Sequence, residues 1–224
     1  MNLAGEPRWR FAAVRSRVMV SGMTTAQGRT ARGLYFLRCF LRNPREVGAV
    51  CPSTRALGDA MLTGLDLRSG DVIVEYGAGT GSLTESIWRR SREVGGLRYL
   101  GIEREQGFCR VLRERMPDFD FACAQVEDVE DLLAERGLPA PKAIISGLPL
   151  ILLPTMESIV ATASRVVAPG GSFRTFTYLQ SSITPNARRL RRLIREHFDG
   201  AGSSPLIWRN FPPAWVLRGD RAVA

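Results

Sequence analysis

The segment from Asp71 to Thr84 constrains the fold more than any other part of the sequence. It reads DVIVEYGAGTGSLT, an apolar β-branched run followed by three alternating glycines and the start of a helix-like stretch. The apolar run predicts a buried strand. Glycine in the following turn allows positive φ and brings the backbone close to a ligand, because it has no Cβ. The segment therefore indicates a nucleotide-type site at the start of an α/β domain.

The spacing of the glycines narrows the choice of nucleotide. The turn contains Gly77, Gly79 and Gly81, whereas a dinucleotide fingerprint also requires a glycine at the sixth position, which is Ser82 here. A P-loop ends in Gly-Lys-Ser/Thr, and no lysine follows Gly81. The turn therefore suits a ligand that has no pyrophosphate.

Two carboxylates accompany the glycine turn. Glu75 ends the first predicted strand, where we expect it to face the ammonium of a methionine moiety. The run 97–103 predicts a second strand that ends at Glu103, where a carboxylate accepts from both hydroxyls of a ribose. With the three glycines, this pair resembles the cofactor site of class I S-adenosylmethionine-dependent methyltransferases, which implies S-adenosylhomocysteine as product. The alternative is a tight turn without a ligand and a solvated strand end at Glu103.

Strand-like and helix-like segments alternate along the rest of the chain. The predicted helices are 81–94, 105–116, 127–136, 155–168 and 185–198, and the further strands are 119–124, 142–146 and 171–178. This alternation predicts a Rossmann-like, doubly wound, mostly parallel sheet. Strand-like segments at 204–210 and 214–218, joined by a proline turn, predict an antiparallel edge and bring the sheet to seven strands.

The N-terminal part predicts a helical extension. A basic and aromatic helix is expected to end before Asn43-Pro44. It can lie in the interface of an anionic bilayer or pack on the domain with its arginines in water. We therefore divide the chain into a basic, aromatic arm with a membrane-facing helix, residues 1–45, and a methyltransferase domain, residues 46–224.

Composition limits the partners. The net charge of +9 predicts an anionic partner, either nucleic acid or an acidic membrane. The four cysteines show no Cys-x-x-Cys spacing and the chain has one histidine, so we expect no metal and reduced, cytosolic thiols. No apolar run is long enough to span a bilayer, and no secretory signal is recognisable.

The end of the predicted strand 142–146 indicates the substrate class, because ligands bind over the carboxyl ends of parallel strands. Methyltransferases that act on exocyclic base nitrogens have a motif resembling Asn/Asp-Pro/Leu-Pro-aromatic at this point. Here Gly147 replaces the polar acceptor and Leu150 replaces the stacking ring. The sequence therefore favours an aliphatic amine, which has a pKa of about 10 and must lose a proton before it reacts.

Four ordered blocks, 40–50, 146–150, 176–178 and 209–214, resemble the bacterial phospholipid N-methyltransferase family, which includes methyltransferases of ornithine lipids. The likeness covers roughly residues 33 to 218. It implies transfer of one to three methyls to a lipid headgroup amine, phosphatidylethanolamine or ornithine lipid. It also implies a cytoplasmic enzyme held peripherally on the inner face of the cell membrane, with no nucleic acid partner. Ribosomal RNA adenine N6-methylation and a non-catalytic membrane-binding protein remain the alternatives.

The candidate site residues follow from this resemblance and from the chemistry. The catalytic candidates are Tyr178, which can hydrogen-bond the amine and face the methylated cation, and the backbone carbonyls of Ser146 and Gly147. Besides the acids and glycines above, the cofactor candidates are Gln125, in place of an aspartate usual in the family, with Val126 and the helix-capping Ser53. The substrate candidates are Tyr35, Leu148, Pro149 and Arg209. Arg209 suits a lipid phosphate or carboxylate, with an interior ion pair as the alternative.

Overall fold

The computed structural model describes residues 54–223, which form a seven-stranded sheet in the order β3-β2-β1-β4-β5-β7-β6. The strands are β1 Val72–Tyr76, β2 Arg98–Glu103, β3 Asp120–Cys123, β4 Ala143–Ser146, β5 Ser172–Tyr178, β6 Gly200–Ser203 and β7 Ala214–Asp220. Strands β1 to β5 are parallel, and β7 runs antiparallel to both β5 and β6. The predicted Rossmann-like, doubly wound fold class is confirmed.

Within residues 54–223, six α-helices cover the two faces of this sheet. They are α1 Arg55–Leu62, α2 Ser82–Glu93, α3 Gln106–Arg115, α4 Val129–Glu135, α5 Met156–Val166 and α6 Pro185–His197. Apolar side chains of α1, α2 and α3 form one core cluster with the sheet, and those of α4, α5 and α6 form the other. Each helix therefore buries one apolar stripe, as the alternating sequence pattern requires.

The central strand β1 is buried at every position because helices cover both of its faces. Val72, Val74 and Tyr76 belong to the cluster under α4, α5 and α6, whereas Ile73 belongs to the cluster under α1, α2 and α3. Successive side chains of a strand alternate between faces, so Glu75 lies on the side of Ile73. This alternation decides what the Glu75 carboxylate contacts.

The predicted strand at 204–210 is wrong. The penultimate strand is Gly200–Ser203, and residues 204–213 form the connection to β7, with a single bridge between Ile207 and Ala214. Pro205 has no backbone N–H for a ladder, which disfavours a strand in this segment. Gly202 pairs with Arg218, whose guanidinium Nε would lie 2.7 Å from a Cβ at position 202. Residues 200–203 have a low β-propensity, but they form the edge strand because their small side chains leave room for the Arg218 side chain of β7.

Several expectations fall on residues 1–53, which lie outside the described residues. These are the N-terminal helical extension, the boundary at residue 45, and the candidates Tyr35 and Ser53. In the described part of the chain, no helix combines the length and the apolar character needed to cross a bilayer.

Candidate functional site

The glycine turn after β1 adopts the backbone conformations that its sequence predicts. Gly77, Gly79 and Gly81 have φ values of 74°, 53° and 87°, which favour glycine strongly over other residues. A Cβ on Gly77 would lie 2.5 Å from the Leu148 side chain. Gly81 is the N-cap of α2 and makes no side-chain capping hydrogen bond. The turn therefore brings backbone N–H groups and the positive end of a helix to the carboxyl edge of the sheet.

Glu103 lies directly beside this turn. Its Oε2 accepts a hydrogen bond from the Gly79 backbone N–H at 2.9 Å, and its Oε1 accepts from the Glu105 N–H at 2.8 Å. The side chain is partly buried at the end of β2, the neighbour of β1. The structure thus brings together the second acid and the glycine turn.

Glu75 is fully buried beneath the turn. Its Oε2 accepts hydrogen bonds from the Tyr99 hydroxyl at 2.6 Å and the Thr84 hydroxyl at 2.8 Å, while its Oε1 has no hydrogen-bond partner. Burial raises the pKa of Glu75 from 4.5 to about 7, and the two hydroxyls and the nearby Glu103 change it less. The carboxylate therefore connects β1 to β2 through Tyr99 and to α2 through Thr84.

Gln125 and Val126 follow β3 at the same edge of the sheet. The Gln125 side chain accepts from the Asp128 backbone N–H, and the Asp128 carboxylate accepts from the Gln125 N–H at 3.2 Å, which forms a capping box. Gln125 is exposed, whereas Val126 is buried in the core. The Gln125 amide oxygen already accepts a backbone hydrogen bond, and as an sp² oxygen it retains capacity for a second.

The segment after β4 packs directly against the glycine turn. The Gly147 N–H donates to the Tyr76 carbonyl at 2.8 Å, and a Cβ on Gly147 would lie 2.8 Å from the Gly77 carbonyl oxygen. Leu150 is 1% exposed and belongs to the core. The Ser146 hydroxyl is buried without a hydrogen-bond partner. This segment therefore leaves no room for a side chain at 147.

Tyr178 ends β5, the strand beside β4, opposite Ala214 of β7. Its ring makes an edge contact with Phe176, with the ring centroids 5.4 Å apart. Arg209, in the connection before β7, is exposed, so the alternative of an interior ion pair is wrong. Tyr178 and Arg209 thus lie at the carboxyl edge that also holds the glycine turn.

Asn210 lies in the same connection, and the sequence analysis assigned its side chain no role. Its side-chain oxygen accepts from the backbone N–H of Thr54 at 3.1 Å and from the Thr54 hydroxyl at 3.0 Å, and its Nδ2 donates to the Pro212 carbonyl at 2.7 Å. Asn210 is 2% exposed. It fixes the N-cap of α1 to the connection that carries Arg209. The partners lie 156 positions apart, so no local sequence signal could have indicated this contact.

Among residues 54–223, no group of three or more histidine, cysteine, aspartate or glutamate side chains is arranged to hold a metal ion.

Comparison with known proteins supports both the fold and the resemblance. The chain is 29% identical over 184 residues to the ornithine lipid N-methyltransferase of Singulisphaera acidiphila, covering 80% of this chain and 91% of that protein. It is 30% identical over 128 residues to ribosomal RNA small subunit methyltransferase A of Thermotoga neapolitana, but spans only 46% of that protein. No protein-family model matches the chain.

Solved structures agree on the architecture. Magnesium protoporphyrin IX methyltransferase from Synechocystis, solved with S-adenosylmethionine bound, superposes with a TM-score of 0.63. The superposition covers 90% of this chain and all of that one at 11% identity, which shows a shared fold. Together the fold and the sequence matches define a class I S-adenosylmethionine-dependent methyltransferase. Within that class, the match across the ornithine lipid enzyme confirms the resemblance to the lipid N-methyltransferases.

Proposed function

We propose that this methyltransferase transfers methyl groups from S-adenosylmethionine to the amino headgroup of a membrane lipid, phosphatidylethanolamine or ornithine lipid. The observation that carries the proposal is the closed packing of the segment after β4. Position 147 has no room for a polar side chain, and Leu150 is buried in the core. A base-specific acceptor and a stacking ring therefore have no place there.

The described residues fit the cofactor. Gly77, Gly79 and Gly81 form a backbone cradle with positive φ angles, and the first turn of α2 has no side-chain cap to compete with a ligand. Glu103 stands beside this cradle with a carboxylate suited to a ribose diol. Gln125 and Val126 stand at the next strand end, where an adenine ring would be held. Bound there, the cofactor supplies a methyl group activated by a sulfonium.

Glu75 serves this site indirectly. Its carboxylate is fully buried and hydrogen-bonded to Thr84 and Tyr99, so we assign it to fixing the glycine turn and α2. Direct contact with a ligand ammonium was expected from the sequence. It would have to be made through Oε1, which is buried and has no hydrogen-bond partner, whereas the indirect role rests on the two bonds that Oε2 accepts.

The chain's main task toward an amine is to desolvate and orient it. The carbonyls of Ser146 and Gly147 accept from the amine N–H groups, and Tyr178 offers its hydroxyl and the face of its ring to the product cation. An alkyl ammonium must lose one proton before its lone pair is available, and water accepts that proton at the rim of the site. Arg209 binds the phosphate or carboxylate of the headgroup through its guanidinium.

The relative's substrate supports the same assignment. The protein from Singulisphaera acidiphila is an ornithine lipid N-methyltransferase, and the match spans most of both chains. A lipid substrate places this enzyme peripherally on the inner face of the cell membrane, where the net charge of +9 favours an anionic surface. Residues 1–45 are proposed as the membrane-facing arm.

Ribosomal RNA adenine N6-methylation is the second candidate, because the matches to ribosomal RNA methyltransferases and the positive charge favour it. Those matches cover 56% of this chain. They do not provide the base-binding groups that are missing after β4.

The test is a thin-layer assay with labelled S-adenosylmethionine and purified protein. Phosphatidylethanolamine vesicles, ornithine-lipid vesicles and unmethylated ribosomal RNA are offered in parallel reactions. We expect label in a lipid spot, which also identifies the headgroup. Label in the RNA alone would overturn the proposal, and no label in any reaction would favour a non-catalytic membrane-binding protein.

A further inference from the structure

We propose that the loops at the carboxyl edge of β4, β5 and β7 form a docking surface that inserts into an anionic bilayer. We call it the rim surface and define it by Leu152, Leu179, Ile183, Trp208 and Phe211. The choice of a bilayer as partner rests on the proposed lipid substrate. The rim surface consists of other residues than the predicted N-terminal helix, to which the sequence analysis assigned membrane contact.

The distribution of exposed apolar side chains carries the first step. Seven large hydrophobic residues of the described chain are exposed, and five of them belong to the rim surface. Their exposed fractions are 79% for Ile183, 72% for Trp208, 61% for Phe211, 52% for Leu152 and 37% for Leu179. Scattered apolar residues need no explanation, but a concentration at one edge indicates an interaction site.

Topology places all five beside the substrate end of the site. Leu152 follows β4, and Leu179 and Ile183 follow β5. Trp208 and Phe211 precede β7, which begins opposite the end of β5 because the two strands are antiparallel. The three loops therefore share the carboxyl edge with Gly147 and Tyr178.

Hydrogen bonds join these loops into one surface. The Leu179 N–H donates to the Pro213 carbonyl at 2.8 Å, which connects the loop after β5 to the segment before β7. Asn186 donates through Nδ2 to the Ile151 carbonyl at 2.7 Å, which connects the start of α6 to the loop after β4. The apolar side chains are thus held by a common framework.

The charge of the surface fits an anionic partner. Residues 147–156, 179–195 and 200–213 contain no aspartate or glutamate. The arginines in these segments include Arg188 and Arg191, which line a cleft of about 500 Å³ together with Ile183 and Trp215. Arginine beside exposed tryptophan and aliphatic side chains is the composition of proteins that sit in the bilayer interface.

The aliphatic members distinguish a bilayer from RNA. Single-stranded nucleic acid is bound through stacking on aromatic rings, and Leu152, Leu179 and Ile183 cannot stack on a base. Transfer of branched aliphatic side chains from water to the boundary of the acyl chains is instead favourable in free energy. Insertion of the rim would also bring the headgroup to the edge where Tyr178 lies.

The test is tryptophan quenching by vesicles of phosphatidylglycerol and phosphatidylcholine with brominated acyl chains. We expect bromine to quench the full-length protein, and Trp208→Phe to remove a large part of the quenched emission. Trp88→Phe is the control, because Trp88 lies on α2 against Arg92, and it should leave the quenched emission unchanged. Equal quenching in the wild type and Trp208→Phe would overturn the proposal.

A second measurement follows vesicle binding by flotation. The Ile183→Ser, Phe211→Ser double variant should lose about tenfold in partitioning to anionic vesicles, because two apolar side chains no longer insert. Val111→Ser is the matched control, since Val111 is 47% exposed on α3, away from the rim, and should bind like the wild type. Calorimetric binding of S-adenosylhomocysteine verifies that each variant is folded. Unchanged partitioning of the double variant would contradict the rim surface.

The two proposals fail in different ways. Lipid methylation without quenching at Trp208 would overturn the rim surface and leave the proposed function standing. Quenching at Trp208 with label found only in RNA would overturn the lipid substrate, while the membrane contact itself would remain.

Discussion

The two halves of the molecule, which we call the cofactor half and the substrate half after their proposed roles, are built differently. The first, from β1 to α4, carries both signs of charge on α2 and α3. The second, from β4 to β7, exposes apolar side chains at its rim, and arginine is the charged residue of its rim loops. A polar, mixed surface suits a soluble cofactor that diffuses in from water. A basic, apolar rim suits a substrate that stays in a membrane.

The halves also differ in the range of their contacts. Glu103 reaches the Gly79 N–H across 24 positions, and Thr84 reaches Glu75 across nine. In the substrate half, Asn210 holds Thr54 across 156 positions. The two halves meet where Gly147 packs on Gly77. Changes on either side of that contact should therefore separate cofactor binding from substrate handling.

The largest effect is expected from Glu103→Ala in the cofactor half. The variant removes the carboxylate that stands beside the glycine turn, and we expect S-adenosylhomocysteine affinity to fall by more than about 100-fold, or roughly 3 kcal/mol. Isothermal titration calorimetry measures this affinity. Glu157→Ala, which removes an exposed acid of α5 paired with Arg189, is the control and should bind normally. Full affinity in Glu103→Ala would refute the ribose contact.

Glu75→Gln tests the buried acid beneath the turn. Burial raises the pKa of Glu75 to about 7, so the folded chain holds this proton more tightly than the unfolded chain. Its contribution to stability is full below the unfolded pKa of about 4.5 and is lost as the pH rises through about 7, a change of roughly 3 kcal/mol.

We therefore expect the wild type to lose stability relative to Glu75→Gln over this pH range. Urea unfolding at a series of pH values measures the difference. Glu114→Gln, at an exposed position of α3, should reproduce the wild-type slope. A parallel pH dependence in wild type and Glu75→Gln would show that the pKa of Glu75 is not raised in the folded chain.

Gly147→Ala tests the contact between the halves. A Cβ would lie 2.8 Å from the Gly77 carbonyl oxygen, and the backbone must shift to admit it. We expect a loss of about 2 kcal/mol in the free energy of unfolding and a fall in methyl transfer. Gly107→Ala is the control on α3, where no atom lies within 4 Å of the added Cβ. It should be neutral or slightly stabilising, and equal stability of the two variants would contradict the close packing.

The smallest effect is expected from Asn210→Ala. The variant loses two hydrogen bonds from Thr54 and one to Pro212, and we expect a loss of about 1.5 kcal/mol in the free energy of unfolding. We also expect the KM for lipid to rise more than the affinity for S-adenosylhomocysteine falls. Asn186→Ala, which loses one bond at an exposed position, should change stability less. A larger loss of stability in Asn186→Ala than in Asn210→Ala would contradict the role assigned to Asn210.

The cofactor half could be predicted from the sequence because its signals are local. Glycine at positive φ, an acid at a strand end and regular alternation of strands and helices each leave a short pattern. The face that Glu75 occupies did not follow from the motif. It follows from the pleat, which places Glu75 beside Ile73 in the core.

The substrate half was harder to predict because its contacts join distant segments. Gly200–Ser203 has no β-branched or aromatic residue and is a strand only because β7 pairs with it. The rim residues read as ordinary loop positions until the sheet brings the ends of β4 and β5 beside the start of β7. Both features depend on pairing between strands that lie far apart in the sequence. No short stretch of the sequence could therefore predict them.

A competition reaction tests the central claim most directly. Limiting labelled S-adenosylmethionine is mixed with the full-length protein, vesicles that contain both phosphatidylethanolamine and ornithine lipid, and unmethylated ribosomal RNA. The account predicts that the label is recovered in the amine of a lipid headgroup and that the RNA stays unlabelled. Label recovered in adenine of the RNA, with unlabelled lipids, would contradict it.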